Sequence, residues 1–410
     1  MPNSSNSPVI AYLAPEIPAL SATFVYEELL ALERRGLSVI PITVRRPRDS
    51  AFEQTRLEAR TQCLYEGSLL VMSIRSLAVL PFLDFRLSKA LRWLAADILE
   101  LGIARPSSWK LAFQFLASIK LARLLRQHGC SHLHVHFAHT PTQIAMYASA
   151  LTSIPFTIIG HANDIFEHGV LLPRKAERAR KFLTISRYNC EYLQRMGVDP
   201  SKLAIIRCGI RLGASQAVPP AADTRHEPYQ IGTLGRLIEK KGMDVLIAAM
   251  AELRRERRKV ELSIAGDGPL RRALEAQVCD QGLVDQVRFV GILPHSEVAD
   301  WMRRLDLFVL ACKQDANGDM DGIPVVLIEA MSQGVPVVST RISGIPELIL
   351  QQTGLLALPD NSHDLALQIK RLLDSPDIKA EMVRRAEHHV REEFSQATNL
   401  DRLLGHFAIP

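Results

Sequence analysis

The sequence predicts an α/β protein of two Rossmann-like domains, and three observations carry that reading. Short runs rich in Val, Ile, Leu and Phe alternate with helical stretches along most of the chain, the pattern of parallel sheets joined by right-handed crossovers. The alternation breaks once, at residues 213–228 (GASQAVPPAADTRHEP), which are small, polar and proline-rich, and then starts afresh. The 410 residues also exceed what one hydrophobic core usually serves. The expected organisation is a first domain over 1–212, a linker over 213–228 and a second domain over 229–394. A terminal helix at 395–410 is expected to cross back to the first domain.

The elements follow in order. Residues 8–14 (PVIAYLA) form the opening strand. The helix at 24–36 stops at Gly36 after Arg34 and Arg35, since glycine just past a helix and cations in its last turn are stop signals. Next come a strand at 37–44, a helix reaching His128-Gly129, strand 132–137 and a helix from Thr140. Strands at 156–160 and 181–186 and a helix from Arg187 complete the first half. The second half reads strand YQIGTLG, a helix from Asp244, strand VELSIAG, a helix from Pro269 and strand VRFVG. A helix from Ser296, strand LFVLA, a proline-led helix at 324, strand VPVVST and terminal helices follow. In sheets wound this way, ligands bind outside the carboxyl ends of the strands.

Apolar content of 47% and charged content of 23% fit an ordinary globular protein. No apolar run reaches the roughly 18–20 residues needed to span a bilayer. The start, MPNSSNSPVI, has neither a basic nor an apolar leader region, so no secretory signal is expected. Six scattered cysteines without a Cys-x-x-Cys pair suit free thiols in a reducing cytosol. A net charge of +5 permits anionic partners without demanding nucleic acid. The charge is uneven: residues 75–126 hold nine Lys/Arg against three Asp/Glu, interleaved with Leu80–Leu83, Leu91–Leu94 and Phe113–Leu116. Such helices suit an anionic membrane surface, or turn their apolar side to the core and their arginines to water.

Chemistry concentrates at a few strand ends. In residues 318–347, Asp321 and Glu329 flank Gly322-Ile323-Pro324. Pro324 is expected to open a helix, and Gly322 permits close approach to the backbone. The amides and positive dipole end of that helix make an anion site. Glu329 lies about five residues further, roughly 7–8 Å along the axis. One acid before an anion site and one beyond it match a sugar-diphosphate-nucleoside, with hydroxyls at both ends and phosphates between. The loop GRLIEKKGMD (235–244) offers Gly235, Arg236 and Lys241, and Gly266-Asp267-Gly268-Pro269 forms a second glycine-rich turn. His161 and Asp164 follow a strand in SIPFTIIGHANDIF, and Ser21 and Thr23 stand at a helix start, as caps or as contacts to acceptor or phosphate. His132, His134 and His136 alternate along one strand face. Three such histidines are able to bind zinc, but core and cleft histidines are the expected reading.

These segments resemble the family 4 glycosyltransferases, whose donor signature is Glu, seven residues, Glu, then Pro-Val-Val. The opening APEIPALSATFVYEELLALERRG and the run His-x-His-x-His-Phe-Ala resemble the exopolysaccharide branch of colanic-acid and amylovoran type. The resemblance implies the GT-B fold, two Rossmann-like domains facing across a cleft. It implies that Arg236 and Lys241 hold the donor diphosphate, stabilising charge that grows as the sugar–oxygen bond breaks. Asp321 and Glu329 would grip hydroxyls; Gly235, Gly266, Gly268, Gly322, Ile323, Pro324 and Val325 would line the donor, with Leu293, in the loop Ile292–Pro294, near the base. His161 joins Arg236, Lys241 and Asp321 at the reacting centre. Asp164 orients His161 or meets the acceptor, and Ser21 and Thr23 stay open between capping their helix and meeting the acceptor. The chain departs from the family with Asp321 in a Glu position and no Gly-Gly loop near Ser21.

The expected activity is retaining transfer of a hexose from a nucleotide-diphosphate sugar to a saccharide carried on polyprenyl diphosphate. The departing phosphate would take the acceptor proton. No carboxylate pair is spaced for glycoside hydrolysis, and no nucleophile is evident. Asp319-Met320-Asp321 spells a metal motif, but Asp321 aligns with the sugar-binding acid, so no metal and no cofactor beyond the co-substrate are expected. The expected location is the cytoplasm, at the inner face of the plasma membrane. A non-catalytic sugar-nucleotide-binding protein and a sugar-nucleotide epimerase of the same fold are the alternatives.

Overall fold

The computed structural model describes residues 8–18, 23–47, 55–66, 86–212 and 227–408. Two compact units result, one of residues 1–185, 190–206 and 400–410, the other of residues 186–189 and 207–399. The proline-rich stretch 213–226 and Ser21 lie outside the described residues.

The first unit is built on seven strands: β1 (Val9–Ala14), β2 (Ser38–Thr43), β3 (Gln62–Cys63), β4 (His132–His136), β5 (Phe156–Gly160), β6 (Lys181–Thr184) and β7 (Leu203–Ile205). Their order is β3-β2-β1-β4-β5-β6-β7 and every pairing is parallel. Helices cover both faces of a parallel sheet, which is why β4 and β5 are buried at every position. The helix Thr23–Arg34 buries Val25, Leu29, Ala31 and Leu32 and stops where Gly36 turns to φ +83°. Leu400, Leu403 and Phe407 join these residues in the core against β1, and Phe407 packs on His132 with ring centroids 4.8 Å apart.

The second unit has six strands: β8 (Tyr229–Leu234), β9 (Val260–Ala265), β10 (Val287–Gly291), β11 (Leu307–Leu310), β12 (Val337–Thr340) and β13 (Leu355–Ala357). Their order is β10-β9-β8-β11-β12-β13, again all parallel. The strand order reverses at β1/β4 in one sheet and at β8/β11 in the other, and crevices open outside the strand ends at such points. Both units are therefore Rossmann-like.

The basic stretch divides. Trp93 meets the cations of Lys89 and Arg178 over its ring at 4.9 and 4.5 Å, and Phe115 is buried against Tyr147. Those aromatics serve the core. Leu99, Ile103 and Trp109 are 62–69% exposed, so an apolar patch does face outward at the turn between helices Arg86–Leu101 and Pro106–Gln127. Leu80–Leu83 lie outside the described residues, within which no helix is long and apolar enough to cross a membrane.

Candidate active site

In the second unit, three loops at the carboxyl ends of β8, β9 and β11 pack on one another, and glycine makes this possible. Gly242, at φ +63°, sits so close to β11 that a Cβ would lie 1.8 Å from the Ala311 carbonyl oxygen. Gly266, at φ +117°, would place a Cβ 2.0 Å from the Gly235 carbonyl oxygen, and Gly268 abuts Leu237 in the same way. The space freed at Gly266 and Gly268 is filled by the protein's own 235–237 backbone, so these two glycines first serve loop packing. Over Gly235 runs the stem of Lys241, whose carbons lie 3.5 Å from where a Cβ would stand.

That packing brings charge together. Lys241 Nζ lies 2.6 Å from Asp321 Oδ2; Lys240 Nζ lies 2.7 Å from Asp319 and 3.5 Å from Asp321. Burial disfavours the Asp321 carboxylate, but Lys241 and Lys240 outweigh it and hold the acid below its ordinary range. Burial likewise depresses Lys241, and Asp321 more than reverses this. Arg236, by contrast, is exposed, and no side chain among the described residues pairs with it. Glu329 sits on the helix Val325–Ser332, its carboxyl pushed up by burial and partly offset by His295. Pro324 stands one residue earlier than the sequence implied in its role. With ψ 123° it is the cap before the helix, and Val325 is the first helical residue. Gly322, Ile323 and Pro324 are buried between the two acids, Leu293 packs on the core, and Ile292 is exposed.

In the first unit, His161 follows β5 and is 7% exposed. Burial lowers its pKa to about 4, against the pull of Asp164 and Glu28. Asp164 is fully buried, and its carboxylate accepts from the backbone amides of Ala138, His161 and Ala162 at 2.7–3.2 Å. Of the two roles expected of Asp164, orienting His161 or meeting the acceptor, these bonds supply the first: the carboxylate holds the His161 turn in place. Thr23 is the first residue of its helix and half-buried.

The histidine run acquires a partner that the sequence did not suggest. Glu28, His134 and His136 place three donor atoms within 4.8 Å of one another, a set able to hold a metal ion. His132 turns away to Thr157, 3.0 Å distant. Glu28 and Lys240 were both missed; the signal for Lys240 was the Lys240-Lys241 doublet, and for Glu28 its place one turn after Phe24 on the helix that covers β4.

Two family profiles match the chain: "Glycosyltransferase Family 4" over residues 21–214 and "Glycosyl transferases group 1" over residues 228–375. The amylovoran biosynthesis glycosyltransferase AmsK of Erwinia amylovora is 35% identical over 243 residues, which cover 58% of this chain and 59% of that protein. The chain thus spans about six tenths of that relative's length. The putative colanic acid biosynthesis glycosyltransferase WcaL of Salmonella typhimurium is 27% identical over 410 residues, 94% of this chain and 96% of that protein. Among solved structures, Anabaena Alr3699/HepE in complex with UDP superposes with a TM-score of 0.70 at 16% identity, covering 97% of this chain and 98% of that one. At that identity the likeness speaks for the fold, which is GT-B. The chain thus carries a glycosyltransferase family 4 domain followed by a glycosyl transferases group 1 domain.

Proposed function

We propose that this protein is a retaining glycosyltransferase of exopolysaccharide assembly, moving a hexose from a nucleotide-diphosphate sugar to a saccharide acceptor. The observation that carries the reading is the strand-end cluster of the second unit. It holds an exposed arginine with no side-chain partner among the described residues (Arg236), a largely buried lysine tied to an acid (Lys241 with Asp321) and a second acid, Glu329, on the helix Val325–Ser332. Arg236 can grip two diphosphate oxygens in a planar fork, while Lys241 acts as a point charge. Both stabilise the leaving diphosphate more than the bound donor, which is what lowers the barrier. Asp321 and Glu329 accept from donor hydroxyls, and the departing phosphate takes the acceptor proton.

We read the reaction as metal-independent, because Asp319 and Asp321 are each already neutralised by a lysine. A cation there would have to displace Lys240 and Lys241. The acceptor is assigned to a polyprenyl-diphosphate-linked saccharide at the inner leaflet. Supporting this, the exposed Leu99, Ile103 and Trp109 adjoin Arg105 and Lys110. A groove of about 560 Å³ beside Trp109 is lined by Arg45, Tyr65, Lys110 and Phe113.

The test is product analysis with UDP-, GDP- and ADP-sugars, lipid-linked saccharides and EDTA. Transfer with the donor's anomeric configuration kept supports the proposal. Binding without sugar release would leave a sensor, and an altered sugar nucleotide formed from donor alone would identify an epimerase.

A further inference from the structure

Alternating histidines on a strand are by themselves expected to be core residues. The carboxylate brought to them changes that reading. β4 presents His134 and His136 on one face, and Tyr12 of β1 stands in register with His134. The helix Thr23–Arg34 brings Glu28 to the same face. Glu28 Oε1 lies 3.1 Å from His136 Nε2 and 3.5 Å from His134 Nε2. The Tyr12 hydroxyl lies 2.5 Å from His136 Nε2 and 2.9 Å from Glu28 Oε1. The carboxylate oxygen and the two ring nitrogens all stand within 4.8 Å of one another.

Two further observations separate this group from an ordinary polar cluster. His134 is fully buried, yet its Nε2 makes no hydrogen bond. Buried side-chain nitrogens are paired in the large majority of cases, so an orphan turned toward two other lone-pair donors calls for something that bonds to all three. The opposite ring nitrogens, meanwhile, have support. His134 Nδ1 lies 2.8 Å from the Thr157 hydroxyl, and His136 Nδ1 lies 3.3 Å from His161 Nε2. Such partners behind the ring are the usual outer support of a metal-bound histidine.

We infer that Glu28, His134 and His136 form a zinc site in the first unit, with the Tyr12 hydroxyl beside the fourth position. Ligand atoms about 2.0–2.2 Å from a tetrahedral zinc stand about 3.3–3.5 Å apart, and the 3.1 and 3.5 Å spacings around Glu28 fit. Two imidazoles and one carboxylate oxygen do not suit magnesium or calcium, which take six or more oxygens. The Glu28 side chain is 18% exposed, which gives an ion a way in. So bound, the ion ties the helix Thr23–Arg34 to β4. It belongs to the fold of the first unit, and the metal-independent reading of the donor chemistry does not depend on it.

The test uses the full-length protein with any affinity tag removed, equilibrated with zinc and desalted. Elemental analysis should find one zinc per chain, and competition with a chromophoric chelator gives the affinity. X-ray absorption should show only nitrogen and oxygen neighbours, with the outer scattering of two imidazoles. Thr157→Val removes the hydroxyl behind His134 and should weaken zinc by roughly 10–100-fold; Glu28→Gln, which removes a ligand, should exceed that range. His168→Gln changes an exposed histidine outside the cluster and should keep the wild-type affinity. Chelation should lower the Tm of the wild type and leave that of Glu28→Gln unchanged. Wild-type protein that retains no zinc and does not compete with the chelator overturns the inference. So does sulfur among the zinc ligands, or a folded Glu28→Gln that binds as tightly as the wild type. Should Glu28→Gln fail to fold, Thr157→Val decides, and undiminished affinity there overturns the site.

Discussion

Asp321→Asn probes the donor site most sharply, because the replacement keeps the shape and removes only the charge. Two losses are expected. A hydrogen bond from a sugar hydroxyl to an ionised acceptor contributes about 1.5–3 kcal/mol, or roughly 10- to 150-fold in kcat/KM. The second loss falls on Lys241, whose ammonium lies 2.6 Å from Asp321 and is held charged against burial chiefly by that acid. Lys240 keeps Asp319 at 2.7 Å, so Lys241 alone loses its neutralising partner. A buried charge stripped of its partner costs up to about 3–5 kcal/mol, and Lys241, 15% exposed, belongs near the lower end. Lys241→Met alone should cost roughly 10²–10³ in turnover through the leaving group. Because the two residues touch, the double variant should lose less activity than the product of the single losses, and it should melt higher than Asp321→Asn. Asp321→Glu restores the usual family residue and should keep appreciable activity. The assays are steady-state transfer and thermal melts on the wild type and all four variants. Multiplicative losses, or a double variant less stable than Asp321→Asn, would refute the coupling.

Further outcomes follow from the same structure. Asp97, fully buried, accepts from both Arg178 nitrogens at 2.6 and 2.7 Å and from the Tyr147 hydroxyl at 2.7 Å. Asp97→Ala should therefore cost about 3–5 kcal/mol in urea unfolding while sparing donor binding. Burial lowers His132 to a pKa of about 3, and His139 and His161 to about 4. The unfolded chain takes up these protons first, so stability should be full above about pH 6.5 and fall progressively toward pH 4. Denaturant midpoints at pH 7.5, 6 and 5 that do not decline would contradict this. Binding to anionic vesicles should be reversible, weaken with salt, and drop when Lys89, Arg92, Arg105 and Lys110 become Gln. Arg86, half-buried and donating to the Thr152 carbonyl, belongs to the fold and is the wrong residue for that test. Wild-type protein that ignores such vesicles at low salt would favour a soluble acceptor.

Long, strongly patterned elements were legible in the sequence. Strands β1, β4, β5, β8, β9 and β11 and the helix ending at Gly36 fall where hydrophobic runs and stop signals put them. The missed strands were β3, β7 and β13, two or three residues each, too short to show a period. Legibility of the site followed the same logic. Lys241, Asp321 and Gly235 converge because motifs at strand ends are brought together by the doubly wound order. The backbone amides that Asp164 accepts from were not legible, because main-chain partners leave no mark on composition. Glu28 was harder to read: its place one turn after Phe24 marks the helix face, but which residues it meets depends on how that helix lies across β4.

The central claim is that the strand-end loops of the second unit bind a nucleotide-diphosphate sugar through Arg236. Thermal stabilisation by a panel of nucleotide sugars, measured on wild type and Arg236→Ala, tests it most directly. A ligand at a hundred times its Kd should stabilise the wild type by about 2.7 kcal/mol, visible as a rise in Tm. The account predicts such a rise for at least one UDP-, GDP- or ADP-sugar and its loss or strong reduction in Arg236→Ala, whose unliganded melting should match the wild type. An equal rise in both proteins, or none with any nucleotide sugar, would contradict it.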